Sequence, residues 1–115
     1  MLTPVPSGFI LLPTCKGVQV IDTQTIIRVE ASNSYSKLFF NNGKHLVVAK
    51  VLSRMEAQLS STQFIRIHRA HLVNKQFIQQ YLHGVQLQVQ LLNGESIPVA
   101  KRKRSSFLKY ISAAA

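Results

Sequence analysis

Acidic residues are scarce in this chain. Of 115 residues only four are Asp or Glu, against 14 Lys and Arg, and the formal charge is +10 with His neutral. Asp22, Glu30, Glu56 and Glu95 lie far apart in sequence, which leaves little for acid–base catalysis. An enzymatic role is therefore not expected. The single cysteine, Cys15, excludes an intrachain disulfide framework and fits a reducing, cytoplasmic setting. Beside an apolar run it reads as a small buried residue. No apolar stretch approaches the ~20 residues that a membrane-spanning helix needs. No cationic region leads the segment from Met1 to Leu12, and Pro4 and Pro6 interrupt it, so a secretory signal is not expected. The glycines form neither GxGxxG nor GxxxxGK(S/T), which removes a phosphate-cradling loop.

What is present describes one folded domain. The length fits a single core stable without metals or disulfides, and the 46% hydrophobic content argues against disorder. Phe9 to Leu12 reads as an edge strand closed by Pro13, Lys16-Gly17 as a turn, and Val18 to Asp22 as a strand. Ile27, Val29 and Ala31 share one face of the next strand, with Arg28 and Glu30 opposite. Asn33 to Ser36 is rich in turn formers, Lys37 to Phe40 is extended, and Asn41-Asn42-Gly43 signals a hairpin returning over His45 to Val48. Val48, Leu52, Met55 and Leu59 then recur at helical spacing, up to Ser60-Ser61-Thr62. Phe64 to Ile67 and Phe77 to Leu82 read as strands. Val85, Leu87, Val89 and Leu91 alternate with Gln86, Gln88 and Gln90, which predicts a half-buried strand ending at the Asn93-Gly94 hairpin turn. Glu95 to Val99 returns, with Pro98 at an edge or strand end. Arg104, Phe107, Leu108 and Ile111 predict a short C-terminal helix, followed by a frayed tail. The fold class is mainly β: small antiparallel sheets with one middle and one terminal helix.

The chemistry lies in the cations. Lys101-Arg102-Lys103-Arg104 follows a strand and opens an amphipathic helix, so one or two of these side chains can face a ligand while another packs its stem on the domain. Free N–H groups at a helix start also favour phosphate. Arg69 with Lys75 is a second exposed candidate, and Lys37, after the Asn33–Ser36 turn, is a third. His68 and His71 lack the third and fourth ligands of a zinc site, and Arg69 between them repels a cation, so no metal is expected. A neutral imidazole can instead donate one hydrogen bond to phosphate. Arginine can grip guanine O6 and N7 with two hydrogen bonds. A long recognition helix is missing from the pattern, so loops would do the reading.

The run Phe64-Ile65-Arg66-Ile67-His68-Arg69-Ala70-His71-Leu72-Val73-Asn74 resembles the signature of the LytTR family of bacterial DNA-binding domains. Its context is similar to the family's too. Ile26 to Ala31 resembles the strand ending in Glu-Ala or Glu-Ser, Asn41 to Lys44 the hairpin, Val51 to Leu59 the short helix, and Leu92 to Arg102 the closing hairpin and basic end. The resemblance covers about Gly17 to Ile111. It divides the chain into an N-terminal extension or edge strand over 1–16, a LytTR-like domain over 17–111 and a tail over 112–115.

The resemblance implies an elongated β fold, a LytTR-like sandwich of small antiparallel sheets. It also implies a transcription regulator that binds double-stranded promoter DNA through loops in successive major grooves, without a cofactor. Paired repeats, a homodimer on DNA, and an upstream receiver domain or sensor kinase belong to the same expectation. Carried over by position, the first reading loop falls on Asn33, Ser34, Ser36 and Lys37, the second on Arg69 just after His68, and the third on Arg102. Lys101 and Arg104 fall at phosphate contacts. Two other readings stay open from the residues alone. One is an RNA-binding module using Tyr35, Phe39 and Tyr81; the other is a basic interaction domain for an acidic partner.

Overall fold

The computed structural model describes residues 8–114; the prolines of the first seven residues and Ala115 lie outside it. Strands β1 (Phe9–Thr14) and β2 (Gly17–Asp22) form an antiparallel hairpin. Then follow β3 (Ile26–Ser32), β4 (Tyr35–Phe40), β5 (His45–Val48), helix α1 (Leu52–Gln58), β6 (Phe64–His68) and β7 (His71–Asn74). The chain closes with β8 (Ile78–Leu82), β9 (Gln88–Leu91), β10 (Ser96–Pro98) and helix α2 (Lys101–Ala114). The five-stranded sheet has the order β5-β4-β3-β7-β6, and a three-stranded sheet has the order β10-β9-β8. The molecule is elongated, 50 × 31 × 24 Å.

Two apolar clusters flank the five-stranded sheet. On one face Ile10, Leu12 and Ile21 of the hairpin and Leu52, Met55 and Leu59 of the α1 region pack against Ile26, Val29, Leu38, Phe64 and Leu72. On the other, Leu87, Val89, Leu91, Ile97, Val99 and Phe107 pack against Ile27, Ile67 and Val73. Leu72 and Val73 are neighbours on β7 yet belong to different clusters, as the alternation of strand side chains requires. The middle strands are thus buried on both faces, giving three packed layers.

Several elements differ from the sequence expectation. Ile27 does not share a face with Val29. A register shift between Ile26 and Arg28 turns Ile26 and Val29 to one cluster and Ile27 to the other. Arg28 is buried, not on a wet face. It pairs with Glu30 at 3.0 Å and Glu95 at 2.9 Å, and stacks 3.9 Å from the Phe39 ring centre. Burial opposes its charge, but the two carboxylates more than offset this and hold its pKa above the usual arginine value. The same hydrogen bonds hold the Glu95 carboxyl below the ordinary glutamate range.

The alternating run from Val85 is a strand only from Gln88 onward. The last ladder pair is Leu82 with Gln88, so Val85 has no strand opposite it. The segment after Arg69, to which the sequence pattern assigns no element, is β7, an interior strand paired with both β3 and β6. Phe77 lies in a 3-10 turn before β8. Cys15 is exposed at the tip of the β1–β2 hairpin. That hairpin belongs to the core through Ile10 and Leu12, and α2 continues past Ile111 to Ala114.

Asn74, which closes the signature run, has a structural task. Its amide is fully buried, donates to Ile26 O at 2.9 Å and accepts from Gln76 N at 3.0 Å. One side chain therefore ties the end of β7 to the start of β3 and caps the turn that follows.

Candidate nucleic-acid interface

Four connections meet at one end of the molecule because backbone hydrogen bonds join them. Ala31 N donates to Ala70 O at 2.9 Å, which sets the β3–β4 turn beside the β6–β7 turn. Ala100 N donates to Ile67 O at 2.8 Å, which sets the start of α2 beside β6. Val99 N donates to Leu87 O at 2.9 Å, which joins the β8–β9 loop to the same row.

The β6–β7 turn carries Arg69, exposed, between His68 and His71. It is held from behind by Arg66. That guanidinium donates to His68 O at 2.8 Å and to Arg69 O, and its third contact is Glu56 on α1 at 2.7 Å. His68 Nδ1 accepts from Ala70 N at 3.1 Å, so in the neutral ring Nε2 carries the proton and can donate outward. His71 points inward. Burial lowers its pKa, and its Nδ1 is 3.8 Å from Glu30 Oε1. Arg66→Met should therefore loosen the turn, with amide exchange at Ala70 rising and a stability loss of about 1–3 kcal/mol for the charged hydrogen bonds removed. Unchanged exchange there would show that the turn holds itself.

His68, Arg69, Ala100, Lys101 and Arg102 line one open hollow. Lys101 also lines its neighbour, with Arg104, Val85, Gln86, Leu87 and Val99. Asn33 and Ser34 are exposed at the adjacent tip, and Asn33 takes a positive φ of 56°, which asparagine tolerates better than most residues.

Three expected positions fall differently. Ser36 is completely buried and donates its hydroxyl to Lys50 O at 2.6 Å, fixing the β5–α1 connection, so it cannot face a ligand. Lys37 is half-buried, its ammonium 5.1 Å from the Phe39 ring centre, along the strand from the tip. Lys75 is not beside Arg69. It lies beyond the far end of β7, donating to Ser61 O at 3.0 Å and sitting 4.5 Å from the Tyr110 ring centre. Arg66 was missed as a brace; its place in the signature run was visible, its contacts were not.

The charge balance at this end follows from where the acids go. Asp22 caps the turn before β3, Glu30 and Glu95 hold Arg28, and Glu56 holds Arg66. Among the described residues no other Lys or Arg has an acidic partner, so the remaining cations keep their full field toward an anion. No described cluster of three or more His, Cys, Asp and Glu is placed to hold a metal.

The model of the family described as the LytTr DNA-binding domain matches residues 16–112. The chain belongs to the LytTR family. A solved structure described as the LytTr DNA-binding domain of a methyl-accepting/DNA response regulator from Bacillus cereus shares the LytTR fold. Its TM-score is 0.76 at 23% identity, over 90% of this chain and 96% of that one. No curated protein matches the chain. Membership supports DNA binding in transcription regulation, and the mainly β LytTR fold of small antiparallel sheets is the one observed. No described helix is long and apolar enough to cross a membrane.

Proposed function

We propose that this domain binds double-stranded promoter DNA in a sequence-specific way, reading the major groove with loops and catalysing no reaction. The observation that carries this is the shared hollow, in which Arg69 from one turn and Lys101 and Arg102 from the start of a helix meet without an acid. Arg69 and Arg102 read base edges. Lys101 and Arg104 hold phosphates, His68 donates a hydrogen bond to one, and Asn33 and Ser34 contact the adjoining groove or backbone. A rigid hairpin and a helix start are better supports for such reading than free loops, because little order remains to be gained on binding. Paired sites bound by two copies, and control by a receiver domain or sensor kinase in the cytoplasm, complete the proposal.

Selection of bound sites from random duplexes tests it. A recurring motif with a fixed repeat spacing is the expected result; enrichment of no sequence, or preferential capture of single-stranded RNA, would overturn it. Lys101→Ala should weaken motif and random duplexes alike. The slope of log affinity against log salt should flatten by about one unit, the loss of one phosphate contact.

A further inference from the structure

We infer that the β8–β9 loop is a further DNA-contacting element, in which Val85 packs against the C5-methyl group of a thymine. The inference rests on the duplex-binding reading above. Val85 is 102% exposed, as open as in a free peptide, and among the described residues is the most exposed of the large apolar side chains. A lone surface valine is ordinarily uninformative. This one is placed by the Val99-to-Leu87 hydrogen bond beside the start of α2, and it lines a hollow with Lys101 and Arg104. Lys101 borders that hollow and the one holding Arg69 and Arg102, so the two lie side by side.

The surrounding charge selects the partner. An apolar tip next to two cations without acidic partners suits a surface that is anionic at its rim and apolar at a point within. The major groove has that character: phosphates line its edges, and the thymine methyl is the apolar group among its base edges. The alternating sequence would have buried Val85 had the ladder continued. The fold ends the ladder at Leu82 and Gln88 instead and leaves the side chain bare.

The test uses the whole chain and its selected duplex, with each thymine replaced in turn by deoxyuridine, which removes only the methyl group. Val85→Ala should leave the melting temperature unchanged and weaken the selected duplex roughly three- to tenfold, the scale of one or two methyl groups returned to water. At one thymine, loss of the methyl should cost the parent protein roughly fourfold and cost Val85→Ala nothing further. If Val85→Ala and every uracil duplex bind like the parents while Arg102→Ala loses the motif, the loop inference fails and the duplex-binding reading stands. If the parent shows no sequence preference at all, both fall.

Discussion

Phe107→Ala should lower the unfolding free energy by about 3–5 kcal/mol, the range for truncating a buried phenylalanine. The ring is completely buried in the second cluster. It meets Tyr81 edge-on at 5.9 Å and Tyr110 at 6.4 Å, so truncation removes aromatic contacts as well as buried area. It is also the fully buried anchor of α2, since Leu108 and Ile111 are only partly covered. The first turn of that helix carries Lys101 and Arg102, so loss of the anchor removes support for the hollow as well as for the core. Denaturant titration gives the stability loss directly. Phe107→Leu, which keeps much of the apolar volume, should cost clearly less. A loss near zero for the alanine variant would mean that α2 is not docked as described.

The helix was legible for the reason this prediction is strong. Arg104, Phe107, Leu108 and Ile111 recur at helical spacing, and the side chain that the spacing turns most inward is the one fully buried. Met55 in α1 shows the same agreement. Strand alternation was a weaker guide because pairing decides where a strand ends. Leu87, Val89 and Leu91 kept their inward places, whereas Val85 lost its partner strand and swung out. At Ile27 a bulge reversed the face, and nothing local in Ile26-Ile27-Arg28 announces an extra residue. The β6–β7 hairpin went unread because its tip, Arg69-Ala70, has none of the Asn-Gly character of a tight turn. Its conformation is held by Arg66 and by His68 Nδ1.

The site was legible as chemistry and illegible as geometry. Arg69 and Arg102 could be singled out as cations on loop-like segments, and the family signature gave them an order along the chain. Their meeting depends on the Ala100-to-Ile67 backbone hydrogen bond between distant segments, and the Asn33–Ser34 tip is brought beside them by Ala31 to Ala70; no local pattern encodes either bond. Ser36 marks the opposite failure. A serine after a turn reads as an exposed donor, but its position opposite Val48 in the ladder places it under the β5–α1 connection, where its hydroxyl is spent on Lys50 O.

Replacing both Arg69 and Arg102 should separate the reading of sequence from simple attraction. Each single alanine variant should cost about 1–3 kcal/mol on the selected duplex, the worth of one two-pronged guanine contact. The double variant should approach the affinity of the parent for random duplex. Charge loss alone would also weaken binding, so the lysine variants decide between causes. Arg102→Lys keeps the charge but has no planar fork to match guanine O6 and N7 together. It should hold the salt slope and the random-duplex affinity of the parent while losing preference at one base position. Arg69→Lys should do the same at a different position, because the two side chains come from separate elements, the β6–β7 turn and the start of α2. Affinities for the selected duplex and for single-base variants of it, at two salt concentrations, give every quantity needed. If either lysine variant keeps the full preference of the parent, charge and not guanidinium geometry is read there. The paired-contact assignment would then be lost at that position and the phosphate role would extend to it.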